Sequence, residues 1–401
     1  MIYNLSRLKQ QLDVHNLDAI IAATRENIRY FTGFEPVTKT LNPYYGQCYV
    51  VVTRANPEQL SIVHTIAEVD QLLDITTPLD QVHCYGRFYR ESLSLAELTQ
   101  EEKQLQQWSI VDNAYESPEQ ALATLLKVLN LENSRIGYDE NGFSPVAFSG
   151  LQSNLSKTRF IPVSELLRFV RRVKTAYEIE QLTLSACCNQ TAIKQTVDNL
   201  YEGISEIEIA RLFELSLIEQ GARPSLTMLK IGRHAIGGQR PQREDIRLAR
   251  GDLLWFDSDA LYQGFWSDIA RVYAYGYAPE NSSERYAALA QGMNTATREI
   301  SAGMRGDEVF NLTMKAVHQA GFGEYRRQHV GHGIGLEAYE RPVLAPTEQA
   351  CIEEGMVISV ETPFYDFGFG ALHIEDPVLI NSEGNLILTQ HKPKELLVID
   401  A

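Results

Sequence analysis

Between Gly251 and Gly276 the chain reads GDLLWFDSDALYQGFWSDIARVYAYG, two apolar, β-rich halves flanking Tyr262-Gln263-Gly264, with Asp257 in one half and Asp268 in the other. Such a stretch reads as a hairpin. With its turn centred on Tyr262-Gln263, Asp257 and Asp268 stand opposite each other on one face, Cβ atoms about 5 Å apart. Like charges so placed oppose strand pairing unless a cation lies between them. Residues 355–380, GMVISVETPFYDFGFGALHIEDPVLI, repeat the arrangement. VISVE and ALHIED are strand-like, and a turn centred on Gly368 sets Glu361 directly opposite Glu375. Both flanks are apolar, so the acids belong to a largely buried sheet, where unpaired carboxylates are strongly unfavourable. An arginine such as Arg271 can neutralise one of them, but not four.

A third piece, VGHGIGLEAYERP at 330–342, holds His332 between Gly331 and Gly333, where a bare backbone lets other groups approach closely. Alone it is an ordinary loop histidine. Beside two acidic hairpins it completes a set of four carboxylates and one imidazole, which suits two divalent ions of the Mn, Fe, Co or Zn type. The expected ligands are Asp257, Asp268, His332, Glu361 and Glu375. A pair of ions acidifies a water and clamps a developing oxyanion, the usual plan for hydrolysing amides or esters.

The rest of the sequence limits the alternatives. A formal net charge of −16 argues against a nucleic-acid groove or an anionic membrane surface. Five cysteines without CxxC spacing read as reduced thiols rather than a disulfide frame or a zinc knuckle. No apolar run reaches membrane-spanning length, and the start MIYNLSRLKQQL lacks the charged and apolar regions of a secretory signal. A cytoplasmic location is the expectation.

At 401 residues the chain exceeds one ordinary core, so two domains are expected. The first part alternates an amphipathic helix from Leu5, a strand in LDAIIAA, β-branched runs QCYVVVT and QLSIVH, helices near Ala67–Leu73 and Pro118–Leu131, and a strand in SRIGYDE. This is an α/β pattern with mixed strand pairing. The character changes near Ser164, and the boundary falls within 160–172, giving residues 1–165 and 166–401. The second part carries helical blocks at about 170–220 and 283–321, with Ser205 as an N-cap, interleaved with hairpins. Segregated helices and hairpins predict an α+β fold.

On these residues the chain resembles the creatinase–prolidase–methionine aminopeptidase family. The family's hairpin pattern matches Asp257, Gly264, Ser267, Asp268, Ile269 and Arg271, its G-H-G-x-G signature matches Gly331 to Gly335, and its two acidic strands match Gly355–Glu361 and Ile374–Asp376. RLKQQLDVHNLDAIIAATRENIRYFTGF is similar to the family's N-terminal domain, and RRVKTAYEIEQL to its domain junction. The resemblance implies a C-terminal pita-bread catalytic domain after a smaller α/β creatinase-like domain, two metal ions with manganese foremost, a homodimer, and proton shuttling by Glu361.

The departures bear on the substrate. The family's His-Glu-x-Pro is here Tyr339-Glu340-Arg341-Pro342, and the histidine four residues before the metal histidine is Gln328, with His329 one place later. An upstream histidine falls at Gly238, for which His234 can stand in. The small residue two after the first metal Asp is Asp259, the Thr after the second is Ala270, E-P-G is Glu361-Thr362-Pro363, and the arginine of R-I-E-D is His373. Glu361, Tyr339 and His329 are thus the catalytic candidates, and Asp259, His234 and Arg341 the substrate-binding ones. Asp259 reads equally as a sixth ligand, a contact for a cationic substrate, or a hydrogen-bonding hairpin acid. Three functions remain in view. They are cleavage of Xaa-Pro dipeptides, creatinase-like or ectoine-hydrolase-like C–N hydrolysis (or lyase action) on a small zwitterion, and a metal-free scaffold.

Overall fold

The computed structural model describes residues 2–390 and 394–400. Contacts divide the chain into two compact units, Met1–Arg171 and Arg172–Ala401.

The first unit is built on a six-stranded mixed sheet of β1 (Ala19–Ala22), β2 (Tyr49–Thr53), β3 (Leu60–Thr65), β4 (Leu79–Tyr85), β5 (Arg135–Tyr138) and β6 (Arg159–Pro162), in the order β4-β3-β2-β1-β5-β6. The central strand β1 pairs antiparallel with β2 and parallel with β5. All four of its residues are buried, as a central strand's continuous apolar run requires. The N-terminal helix, Leu5–Val14, buries Leu8 and Leu12, the i and i+4 positions of its apolar stripe.

The second unit holds β7 (Arg223–Leu226), β8 (Leu229–Ile231), β9 (Leu253–Tyr262), β10 (Phe265–Tyr275), β11 (Gly331–Gly333), β12 (Glu340–Val343), β13 (Val357–Glu361), β14 (Phe364–Asp366), β15 (Gly370–Leu372), β16 (Glu375–Leu379), β17 (Leu386–Ile387) and β18 (Leu397–Ile399). The main sheet runs β12-β11-β13-β16-β10-β9-β7, with β8 on β9, β17 on β16 and β18 on β10. Helices Ala176–Val197, Glu206–Glu219, Ser282–Glu299 and Gly306–Gln319 complete the unit. Ser205 caps its helix as expected, in a reciprocal capping box with Glu208. This is the α+β architecture expected of the pita-bread domain. Among the described residues no helix is long and apolar enough to cross a membrane.

A long-period duplication escaped the sequence reading. Helices Glu206–Glu219 and Gly306–Gln319 are each preceded by a turn on a glycine of positive φ, Gly203 (88°) and Gly303 (95°). Each is also followed by one, Gly221 (77°) and Gly321 (102°). Each half contributes a helix pair and a hairpin, and the hairpins meet where β10 pairs with β16.

One register expectation is corrected. The first hairpin turns on Gln263-Gly264, not Tyr262-Gln263, because Phe265 pairs with Tyr262. Both turn residues have positive φ (48° and 78°), the conformation a two-residue hairpin favours, and glycine adopts it without strain. Asp257 therefore pairs with Ala270, and Asp268 pairs with Asp259. The displacement is two residues, an even number, so every side chain keeps its face.

Candidate metal centre

Strand alternation builds the site. The face of the first hairpin that sends Leu253, Trp255, Val272 and Ala274 into the core carries Asp257, Asp259 and Asp268 near its turn. Ala270, opposite Asp257, also pairs with Glu375, and Glu375 pairs with Glu361 as expected. One lateral row across four strands thus reads Asp257, Ala270, Glu375, Glu361. In the next row Asp259 faces Asp268, and His332 on β11 faces Ser359 on β13. All five expected ligands converge, and Asp259 lies beside them.

His332 is fully buried, with Nε2 3.6 Å from Asp268 Oδ2 and 3.9 Å from Glu375 Oε1. Its Nδ1 lies 3.0 Å from the Gly333 carbonyl, to which it can only donate, so the neutral ring carries its lone pair on Nε2, facing the acids. Ser359 Oγ donates to Glu375 Oε1 at 2.9 Å. Arg271 is not part of this cluster. It bonds Asp376 Oδ1 at 2.5 Å and the Glu375 carbonyl at 2.8 Å.

Burial, then the charges of Asp268 and Glu361, push the carboxyl groups of Asp257 and Glu375 well above the usual range. Asp259 is raised by burial, Asp268 and Asp257. Glu361 behaves oppositely. Burial would raise it, but the adjacent His329 and His373 imidazoles hold it far below the ordinary value. His329 Nδ1 is 2.7 Å from Glu361 Oε1, and Arg327 Nη2 is 3.7 Å from Oε2.

Several buried atoms lack a hydrogen-bond partner: Nε2 of His332, Nε2 of His373, Nδ1 of His329, Oε1 of Glu361 and Oδ1 of Asp259. A cluster of acids and imidazoles left this way is unstable as a purely protein arrangement, and its oxygen and nitrogen donors suit divalent cations. Among the described residues two groups have donor atoms all within 4.8 Å of one another, Asp268–His332–Glu375 and Asp257–His373–Glu375. The residues fit a metal centre.

The pattern extends to the chain as a whole. Residues 180–382 match the profile of metallopeptidase family M24, and residues 4–173 match that of the creatinase/prolidase N-terminal domain. The chain belongs to metallopeptidase family M24. It is 31% identical over 267 residues to an uncharacterized peptidase of Bacillus subtilis, covering 66% of this chain and 75% of that one. It is 30% identical over 239 residues to an Xaa-Pro dipeptidase of Pyrococcus furiosus, covering 59% and 68%. The solved Xaa-Pro dipeptidase from Bacillus anthracis superposes with a TM-score of 0.78 at 25% identity, over 98% of each chain. This M24 protein is accordingly a metal-dependent hydrolase, and the resemblance read from its motifs holds.

The other candidates divide into two groups. Tyr339 lies flat against His332, ring centroids 3.5 Å apart and planes 18° from parallel, while staying 58% exposed. Desolvation and the field of Glu361 and Glu375 push its phenol far above 10, so it remains a donor throughout the working pH range. Asp259 is 5% exposed and on the cluster's face. His234 and Arg341 are not brought into the cluster. His234 is exposed on the turn Gly232–His234, and the exposed Arg341 guanidinium reaches Glu348 Oε1 at 3.8 Å. Two participants escaped the sequence reading, Arg327 and the contacts of His373. The second had a signal, since residues two apart in extended chain share a face and His373 stands two before Glu375.

Proposed function

We propose that this M24 hydrolase carries two divalent ions on Asp257, Asp268, His332, Glu361 and Glu375, and hydrolyses the amide C–N bond of an Xaa-Pro dipeptide. The convergence of four carboxylates and an imidazole on one sheet face carries the reading, supported by relatives that bear the name Xaa-Pro dipeptidase. When bound, the ions acidify a water and neutralise charge developing on the scissile carbonyl oxygen. Water adds across the bond, its oxygen to the carbonyl carbon and a proton to the departing nitrogen. Glu361 Oε1, 2.7 Å from His329 Nδ1, passes the abstracted proton to that imidazole, whose side chain is 17% exposed and which delivers it to the leaving nitrogen. The Tyr339 hydroxyl donates to the oxyanion in place of the family's histidine. Asp259 receives the substrate's ammonium group.

Asp259 also favours a second reading, in which a small non-peptide zwitterion is the substrate, because it adds a fifth carboxylate beside the four. Protein purified without chelator and assayed on Xaa-Pro dipeptides, creatine and ectoine derivatives separates the two. Metal-loaded protein inactive on every Xaa-Pro dipeptide excludes the first reading.

The proposal assigns the chemistry to residues 166–401 and treats 1–165 as the separate N-terminal domain. Manganese is its foremost ion, with Fe, Co or Zn as the other candidates, and elemental analysis tests the choice. It includes a cytoplasmic homodimer, for which light scattering is the test. Free thiols at Cys48, Cys84, Cys187, Cys188 and Cys351 support the reducing location.

A further inference from the structure

His373 occupies the same kind of setting as His332, on the other side of Glu375. It is 1% exposed, and its Nε2 has no hydrogen-bond partner. That nitrogen lies 3.3 Å from Glu361 Oε2 and 3.5 Å from Glu375 Oε2, while Nδ1 lies 3.7 Å from Asp257 Oδ2. Glu375 therefore turns one oxygen to each imidazole, Oε1 to His332 and Oε2 to His373. Donor atoms held about 2.0–2.2 Å from one ion stand roughly 3–4 Å from each other, which is the spacing seen around both histidines.

We propose that His373 is a ligand of the metal centre, so that each side of Glu375 contributes one imidazole: His332 with Asp268, and His373 with Asp257. The inference rests on the two-ion reading above and adds a nitrogen donor to it. Position 373 is where the family pattern has an arginine, which cannot donate a lone pair to a cation. In this chain a neutral imidazole stands there instead, and the donor set shifts from oxygen toward nitrogen. Nitrogen donors favour cobalt, nickel and zinc over manganese.

Trp255 supplies the means of observing the change. Its indole Nε1 donates to His373 Nδ1 at 3.3 Å, and the two rings lie 19° from parallel. Coordination through Nε2 moves the imidazole proton to Nδ1, where Asp257 Oδ2 accepts it, and displaces the indole N–H from that contact. Filling this side of the centre therefore alters the surroundings of a fully buried tryptophan.

The test uses the full-length protein, stripped of metal and titrated with cobalt(II) chloride alone. Calorimetry gives stoichiometry and affinity, tryptophan fluorescence with Trp108 and Trp266 replaced by Phe follows the His373 side, and proton NMR counts paramagnetically shifted, exchangeable imidazole N–H signals. The expected result for wild type is two cobalt ions per chain and two such signals. In His373→Gln one signal disappears, and one site weakens by at least about 100-fold. Glutamine keeps an N–H donor, so unchanged cobalt affinities in that variant overturn the proposal in favour of a hydrogen-bonding role. Two ions with a single shifted signal in wild type overturn it without recourse to any variant. No cobalt bound to wild type overturns the two-ion reading itself, an outcome distinct from the other two.

Discussion

Replacing Tyr339 by Phe separates two roles that its position combines. The ring stacks on His332 at 3.5 Å between centroids, and phenylalanine preserves that contact while deleting only the hydroxyl. A donor aimed at a developing oxyanion is worth about 2.7–4 kcal/mol, so kcat should fall roughly 10²–10³-fold in Tyr339→Phe. KM and metal content should stay put, because the hydroxyl is proposed to act on the transition state alone. Tyr339→Ala removes the stack as well. An aromatic pair contributes about 0.5–1.5 kcal/mol, so loosening His332 should weaken metal binding by up to roughly tenfold on top of the loss in kcat. The assay is steady-state kinetics on whichever Xaa-Pro dipeptide or zwitterion is turned over, with metal content measured on the same preparations. A Tyr339→Phe enzyme with wild-type kcat would refute the oxyanion role and leave Tyr339 as packing. Tyr339→His should instead raise kcat/KM for prolyl dipeptides relative to that for small zwitterions, and an unchanged ratio would show that this position does not set the substrate.

Further outcomes follow from the cluster and from the first unit. Chelation should lower the unfolding midpoint of the second unit, followed by hydrogen exchange in residues 253–275. Free ion at 100 times Kd contributes about 2.7 kcal/mol per site, which at 2–4 °C per kcal/mol is roughly 5–10 °C. In the chelated protein Asp257, Asp259 and Glu375 hold protons that the unfolded chain releases, so its stability should fall as pH rises above about 4. Greater stability of the chelated protein at pH 8 than at pH 5.5 would contradict this. Asp268→Ala and His332→Ala should abolish turnover, and wild-type activity in either would disprove the site. Asp259→Asn should raise KM for substrates with a free ammonium by about 10–100-fold, the value of one charge-assisted hydrogen bond, while loss of an ion instead would make Asp259 a ligand. Burial pushes the His64 imidazole down from 6.5 to about 4. The unfolded chain takes up that proton first, so stability is complete above pH 6.5 and falls by about 3 kcal/mol as pH drops toward 4. His64→Leu should flatten that slope in denaturant titrations.

What was legible in the sequence is what a strand's period of two can transmit. Asp257, Asp268, Glu361 and Glu375 lie in apolar strands, and alternation alone assigns them to one face. The turn at Gln263-Gly264 moved the register by two residues without moving any acid off that face, which is why the expected and the observed registers bring the same acids together. A displacement of one would have sent every acid to the opposite side. The same rule made His373 readable beside Glu375, and only its identity as a departure from arginine drew attention away from its position. The duplication was less accessible, since Gly203 with Gly303 and Gly221 with Gly321 recur a hundred residues apart and the intervening side chains differ.

The residues proposed to set the substrate stand on a different footing. Arg327 and His329 lie in the irregular segment before β11, and Tyr339 in the loop before β12, where no period relates position to direction. Tyr339 packs face to face on His332 although seven residues separate them, and His329 reaches Glu361 from one place away from the family's histidine. Strand-borne acids are fixed by pairing, so their placement survives wherever the register survives. Loop-borne groups are fixed by their own contacts, so a one-residue change there can retain a metal-dependent hydrolase while replacing what it hydrolyses. That asymmetry is why the panel of substrates and the Tyr339 variants carry more information about this chain than further substitution of its acids.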